Sequence, residues 1–305
     1  MRDDDKPASP WMRARPTKPT RTPRDGEAPR SSDRRDAPRP RPPVVRAGAG
    51  RETSSPAPRE QRVYGLNACL AAFAHRADAL RKVYLVEARI PALKAVLAWC
   101  VQRRIGYRVV ENDDLDKLTS SRHHEGVCFD LVRPMPPSLA SLLAAQPSPP
   151  APSLLLWLDG VGNPHNLGAL LRTAAHFGAA GVIVPAAAGL DVSGAAARVA
   201  EGAAEIVPLV PVASIDDALV ALRAHAYTIA ATTPHEGTPL YEATLPPRLL
   251  LVLGAEGEGI GAAMAASADL HLTIPGSGAI ESLNVAASVA VLLGEYWRSV
   301  RVRGS

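Results

Sequence analysis

A chain of 305 residues with a net charge of +4 has room for two compact domains, and it contains no apolar run long enough to span a bilayer. Its 3 cysteines (Cys69, Cys100, Cys128) are widely spaced and form no CxxC pair. That pattern points to free thiols in a reducing compartment and excludes a disulfide framework or a structural zinc finger.

The charge is unevenly held. Residues 1–60 contain 15 Lys/Arg against 9 Asp/Glu, and the remainder contains 19 against 21. This first segment is rich in Pro, Arg, Ser and Thr and nearly free of large apolar residues. It cannot bury enough surface to offset its chain entropy and is expected to be a disordered basic arm. An Arg-rich flexible arm suits attraction to nucleic-acid phosphates; a solvated tail without a dedicated partner is the alternative, which composition alone slightly favours. The N-terminus is polar and basic without an apolar core, so no secretory signal peptide is expected and the expected location is the cytoplasm.

Globular structure is expected from about Arg62. Gly65 to Ala74 has helical spacing, with Cys69 inside it as packing. Lys82 to Val86 reads as a strand and Pro91 to Arg104 as a helix with Pro91 in its first turn. Tyr107 to Val110 is a strand, Asp113 to Leu118 a short helix and Val127 to Val132 a strand. Together 61–134 form a small α/β domain of ordinary size. His123-His124-Glu125-Gly126 precedes its last strand; with no further ligands named nearby, a surface turn that touches substrate is favoured over a metal site. Residues 135–152 are Pro-rich around one short Leu/Ala segment and read as a linker.

From Leu154, within an expected domain 153–305, strands and helices alternate. The apolar run Leu154 to Leu158 leads through Asp159-Gly160-Val161-Gly162-Asn163-Pro164-His165-Asn166 into a helix, Leu167 to Phe177. Gly181 to Val184 precedes a helix around Ala195 to Glu201. Ile206 to Val210 precedes Ile215 to His225, and Tyr227 to Ala231 precedes the Thr232-Thr233 turn. Such alternation of near-continuous apolar strands with helices predicts an α/β fold with a mostly parallel sheet. Ligands of such sheets bind beyond the carboxyl ends of the strands. The loops there carry Asn163, Asn166, Arg172, Thr232, Thr233, Glu256, Ser282 and Asn284, and one cleft is expected to gather them.

The last stretch organises the rest. Leu249 to Leu253 empties into Gly254-Ala255-Glu256-Gly257-Glu258-Gly259-Ile260-Gly261, and Leu270 to Ile274 into Pro275-Gly276-Ser277-Gly278 and Glu281-Ser282-Leu283-Asn284-Val285. Glycine turns after buried strands let backbone approach a ligand. The glycines do not match the dinucleotide spacing, and no G-x-x-x-x-G-K-[ST] loop, G-x-S-x-G elbow or HExxH is present. The residues alone leave an α/β enzyme or binding protein for an adenosine-like or small polar ligand. Asn166 and Ser282 each precede a helix-like run, so capping is their structural alternative, and a surface ion pair is that of Arg172.

Three segments together resemble the signature motifs of SpoU/TrmH-type RNA 2′-O-ribose methyltransferases: Asn163 to Ala174, Leu253 to Ile260 and Ile274 to Ala290. Tyr64-Gly65-Leu66-Asn67-Ala68 and His124-Glu125-Gly126-Val127 resemble the small substrate-binding domain that precedes the catalytic domain in many members. The resemblance implies a C-terminal trefoil knot, a homodimer paired through it, and S-adenosylmethionine held bent by backbone at Gly254, Ile274 and Leu283. By motif match Asn166, Arg172, Glu256, Ser282 and Asn284 would be the catalytic set. Arg172 is the residue proposed to activate the ribose hydroxyl; since its pKa lies above about 12, clamping a phosphate and orienting the hydroxyl is an equal alternative. The two-domain layout looks most like the branch acting on a guanosine of large-subunit (23S) ribosomal RNA. A tRNA-directed enzyme, a non-catalytic RNA-binding assembly factor and a small-molecule methyltransferase are the alternatives. Gly276-Ser277-Gly278 departs from the bulkier residues usual after Ile-Pro.

Overall fold

The computed structural model describes residues 60–304, with side chains to 300; the basic arm expected to be disordered lies outside the described residues. Strand β1 (Glu60–Tyr64), helix α1 (Leu66–Arg76), β2 (Leu80–Leu85), α2 (Lys94–Arg103), β3 (Gly106–Val109), α3 (Asn112–Thr119) and β4 (Val127–Val132) build a first sheet in the order β1-β4-β2-β3. Strand β4 runs antiparallel to β1 and β2, and β2 is parallel to β3. The period of two decides the two faces. Val127, Phe129 and Leu131 join Leu80, Val83 and Leu85 in a core under α1 and α2, while Cys128 turns to the other face with Tyr64 and Leu115. All three cysteines are buried and free, and burial pushes the Cys128 thiol up to about 12. Helix α2 starts three residues after Pro91, because Pro91–Leu93 make a turn that seats Leu93 in the core with no exposed surface.

The Pro-rich stretch expected as a linker is bound to the second sheet. Its helix α4 (Leu139–Ala144) is capped by Ser138 Oγ, which accepts from Ser141 N at 3.1 Å. Leu142 and Leu143 then pack with Leu155, Trp157 and Ile183. The buried Arg248 donates to Pro147 O (2.8 Å) and Ala151 O (3.2 Å) and stacks on Tyr227, which fixes the end of this segment.

The second sheet comprises β5 (Ser153–Asp159), β6 (Gly181–Pro185), β7 (Leu209–Val212), β8 (Thr228–Thr232), β9 (Thr238–Pro239), β10 (Arg248–Gly254) and β11 (Leu270–Thr273). Its order is β7-β6-β5-β10-β8-β11-β9, and every pairing is parallel. Helices α5 (Pro164–His176), α6 (Gly194–Ala200), α7 (Ile215–Ala224), α8 (Ala262–Ala266) and α9 (Val285–Gly304) intervene. Because helices cover both faces, β5 is apolar from Leu154 to Leu158: Leu154, Leu156 and Leu158 face the side of α5, α6 and α9, and Leu155 and Trp157 face α4 and α7. Strand β7 begins later than the apolar run at Ile206 suggested, since Ala203–Glu205 form a 3-10 turn and leave Ile206 61% exposed. The order steps from β5 through β6 to β7 on one side and continues from β10 on the other, so the switch point lies between β5 and β10. Crevices for ligands open at the carboxyl ends of such neighbours.

The two sheets meet through α6. Ala197 belongs to the core of the first sheet. A Cβ on Gly194 would lie 2.7 Å from Arg62 O, one on Gly65 2.7 Å from Arg198 Cγ, and one on Gly202 2.7 Å from Ala71 Cβ. Around this close approach Gln61 Nε2 donates to Val192 O (2.9 Å), Asn67 Nδ2 to Glu201 Oε2 (2.6 Å), and Arg76 forks onto both oxygens of Glu205 (2.8 and 2.9 Å).

Candidate active site

Three segments converge beyond the carboxyl edge of the second sheet. The first is the start of α5. Asn163 is its cap, with Oδ1 accepting from His165 N at 2.9 Å, and Pro164 takes the first helical position, where its missing N–H costs nothing. Asn166, weighed above as a cap, is instead inside the first turn with its side chain free to reach outward. The second is the turn after β10. Ala255 and Gly259 exchange backbone hydrogen bonds of 3.1 and 3.0 Å, so the chain reverses within five residues. Gly257 and Gly259 take φ of 89° and 73°, the left-handed region that glycine enters without strain. Gly254 lies under this turn, and a Cβ there would sit 2.4 Å from Gly259 O. The tight turn holds Glu256 at its tip.

The third segment is the loop from β11 to α9. Asn284 caps α9: its Oδ1 accepts from Ala286 N at 2.9 Å. Ser282, the other residue considered for that cap, lies two residues earlier, exposed, in the loop. At the meeting point Glu256 Oε1 accepts from Asn284 Nδ2 (2.7 Å), Asn166 Nδ2 (3.1 Å) and Val285 N (3.4 Å), and Asn284 Nδ2 also lies 3.3 Å from Asn166 Oδ1. One carboxylate oxygen thus ties together the ends of β5, β10 and β11, and the negative charge stands at the N-terminus of α9, where the helix dipole favours it.

The rest of the expected set is distributed around this junction. Arg172 is on α5, six residues beyond Asn166; that is about 9 Å along the helix axis and about 120° away around it. It is exposed, and no ion pair or hydrogen bond engages it among the described residues, so the surface salt bridge considered for it is absent there. Ser282 is likewise without a partner. Ile274 is half-buried against the core and Leu283 is 43% exposed. The expectation that one cleft gathers all the polar loop residues is corrected for the threonines. Thr232 Oγ1 donates across to Val252 O of β10 at 2.9 Å, and Thr233 Oγ1 to His235 O in the turn that follows, so both hydroxyls are engaged by backbone carbonyls.

Asp159 belongs to this edge and was not singled out in the sequence. Its Oδ2 accepts from Gly261 N at 2.7 Å, which pins the far end of the glycine turn to β5. An acidic residue closing a buried apolar run and preceding a glycine was the available signal.

The His-His-Glu-Gly turn, expected at the surface, is partly buried and held by tertiary contacts. His124 is 4% exposed; its Nδ1 accepts from Gly126 N (2.9 Å) and its Nε2 faces Asp116 Oδ1 (3.1 Å). That arrangement assigns the ring proton to Nε2. Glu125 accepts from Leu66 N at 3.0 Å and lies 3.7 Å from Arg198 of α6. The turn is part of the joint between the sheets, and no cluster of potential metal ligands occurs among the described residues.

Residues 153–294 match the SpoU rRNA Methylase family, and residues 62–137 match the RNA 2′-O ribose methyltransferase substrate-binding family. The chain is 39% identical over 239 residues to a protein of Escherichia coli O157:H7 described as an uncharacterized tRNA/rRNA methyltransferase, YfiF, covering 78% of this chain and 68% of that one. It is 32% identical over 251 residues to the 23S rRNA (guanosine-2′-O-)-methyltransferase RlmB of Pseudomonas putida, covering 80% and 98%. A solved structure of an RNA 2′-O ribose methyltransferase superposes with a TM-score of 0.66 at 27% identity, over 80% of this chain and 90% of that one. With these matches over both sheets, the chain belongs to the SpoU family of RNA 2′-O-methyltransferases.

Proposed function

We propose that this protein transfers a methyl group from S-adenosylmethionine to the 2′-hydroxyl of a guanosine in large-subunit (23S) ribosomal RNA. The observation that carries this reading is the junction of Asn166, Glu256 and Asn284 at the carboxyl edge of a parallel sheet, with an arginine that has no partner among the described residues on the same helix as Asn166. The residues present suit the cofactor: two glycine-rich turns offer exposed backbone groups, and Ile274 and Leu283 offer apolar surface beside them. Gly254, Ile274 and Leu283 would line that pocket. The sulfonium supplies an activated methyl and a neutral leaving group, so the protein's own work is alignment and the handling of one proton.

In this reading Glu256 and the two asparagines hold the three loops in register. Arg172 would clamp the phosphate beside the target ribose and orient its 2′-hydroxyl toward the bound cofactor, and the hydroxyl proton would be released to solvent late, since an arginine with a pKa above about 12 is a poor base. Ser282 is free to contact ribose or the cofactor's methionine end. The first sheet serves as the substrate-binding domain and the second as the transfer domain. Helix α9 returns from β11 onto α5, with Val289 and Leu292 in the same core as Leu167 and Leu171; a knotted C-terminal region, which the family resemblance implies, and pairing of two subunits through it complete the proposal. No described helix is long and apolar enough to cross a membrane, and a cytoplasmic location is part of the same reading.

A tRNA substrate is the second reading, favoured by the 39% identity to a protein described as a tRNA/rRNA methyltransferase. Mapping 2′-O-methyls in ribosomal and transfer RNA from cells with and without the gene separates the two. Loss of one guanosine mark in 23S RNA is the expected result. Loss only in tRNA would transfer the activity to that substrate, and no change in either would overturn the enzyme.

A further inference from the structure

The first sheet meets α6 along its β1 edge, and its opposite edge carries a separate basic feature. At the start of β2 and the turn from α2 to β3, a recess of about 330 Å³ is lined by Asp78, Arg81, Trp99, Arg103, Arg104 and Gly106. All three arginines are exposed. The carboxylate among these residues, Asp78, is 86% exposed and stands 3.9 Å from Arg103, a separation and exposure at which an ion pair neutralises little. Arg81 Nη1 donates to Asp78 O (3.0 Å) and Leu80 O (3.2 Å), so carbonyls orient its charge without cancelling it. The Arg103 guanidinium lies 4.5 Å from the centre of the Trp99 ring, and Phe73 braces that ring edge-on at 6.0 Å. Arg104 sits past the end of α2 at φ 56°, where glycine or asparagine would be less strained, and its guanidinium has no partner among the described residues.

The dipole of α2 accounts for basic residues at its C-terminus. It does not account for Arg81, which comes from a strand, or for an arginine kept at a left-handed position. Guanidinium forks held by carbonyls and an aromatic face match phosphate oxygens in geometry and charge. The turns at Gly65–Asn67 and Glu125, which the sequence marked for this domain, are engaged in the joint with α6. We propose that this recess is a phosphodiester-backbone site for the RNA substrate, with Arg81, Arg103 and Arg104 reading consecutive phosphates and no base. This rests on the reading of the protein as an RNA methyltransferase.

The test uses the full chain and the double variant R81Q/R104Q, with R81K/R104K as the charge-preserving control. Binding to a 23S fragment is measured across salt concentrations, alongside methyl-transfer kinetics. Removing two phosphate contacts should lower the slope of log affinity against log salt by about 1.4, given roughly 0.7 per contact for single strands. KM should rise about tenfold with kcat within twofold; the lysine control should keep the wild-type salt slope, because its charge is unchanged, and recover KM only in part, because an ammonium lacks the fork. An unchanged slope and KM in R81Q/R104Q overturns the site. A wild-type protein that binds RNA and transfers no methyl overturns the proposed activity, while the slope still decides the recess. Should the glutamine variant melt early, photo-crosslinking of wild type to thiouridine-bearing RNA replaces it: adducts on residues 78–82 or 99–106 support the site, and adducts solely elsewhere, or displacement of RNA by a poly-glutamate peptide at equal charge, overturn it.

Discussion

At the scale of single residues the site separates into groups that hold and groups that are free. Glu256 Oε1 takes three donors at 2.7–3.4 Å, so its position is set by the loops it joins. Arg172 is held by nothing on the described surface, and such a residue contributes little to folding: surface substitutions away from special features stay within about 0.5 kcal/mol. Arg172→Ala should therefore leave the melting temperature and cofactor affinity nearly unchanged. It should lower kcat/KM by at least about a hundredfold, the scale lost when a reactant is misplaced. Methyl transfer from labelled cofactor, run beside calorimetric titration of the cofactor, reads both; an active variant would remove Arg172 from the reaction. Arg172→Lys should restore little, because an ammonium lacks the planar fork that grips phosphate.

At the scale of elements, the crossing of α5 and α6 is set by one glycine. In a solvent-facing helix Gly→Ala gains about 1 kcal/mol. At Gly168 the new Cβ would lie 2.6 Å from Ala196 O and 2.7 Å from Val199 Cβ, and a helix carbonyl cannot swing aside. Gly168→Ala should reverse the usual sign and destabilise by about 1–3 kcal/mol, seen as a lower urea midpoint; a raised midpoint would mean that the helices have room to part. The long elements were legible in the sequence because β5 and β10 are uninterrupted apolar runs, and α5 announces itself through its Asn-Pro cap. The capping alternative weighed for Asn166 and Ser282 falls instead on Asn163 and Asn284, because a capping preference names a residue type and the chain offers several candidates within three positions. The role of His124-Glu125 was hidden for another reason: its partners Asp116, Leu66 and Arg198 are set by tertiary packing that no local pattern reports. Helix α9 also carries a pH signature. Tyr296 is buried, donates to Pro247 O, and is pushed up to about 12, against about 10 in an unfolded chain. The folded state keeps this proton longer, so the stability linked to it is intact below about pH 10 and is lost as pH rises toward 12. Melting temperature measured from pH 8 to 12 should fall over that interval, and less steeply in Tyr296→Phe. Equal slopes would assign the alkaline loss to other groups, such as Cys128.

At the scale of the molecule, the question is whether the first sheet is tethered or fixed. The geometry is that of a fixed joint: α6 lies on β1 with three glycines at the contact, and its Ala197 belongs to the first sheet's core. The same helix packs on α5, which bears Asn166 and Arg172, so the first sheet and the junction of Asn166, Glu256 and Asn284 share a continuous path of packed elements. Arg76 is the central polar member. Besides its fork onto Glu205 it donates to Val132 O (2.8 Å) and Gln61 Oε1 (3.2 Å), and both partners of the ion pair keep only 15% and 14% of their side-chain surface. Removing one partner of such a pair leaves the other charge poorly solvated, at a cost of about 2–4 kcal/mol. Arg76→Ala should concentrate that loss at the joint. Wild type is expected to unfold in one cooperative calorimetric transition, and the variant in two, with a larger radius of gyration by solution scattering before the first. Activity on a long RNA that needs both domains should fall through KM, while cofactor binding in the second sheet stays as it was. A variant that still unfolds in one transition at an unchanged radius would locate the strength of the joint in the apolar contacts of Ala197 and the glycine-lined surface, with the ion pair setting only their register.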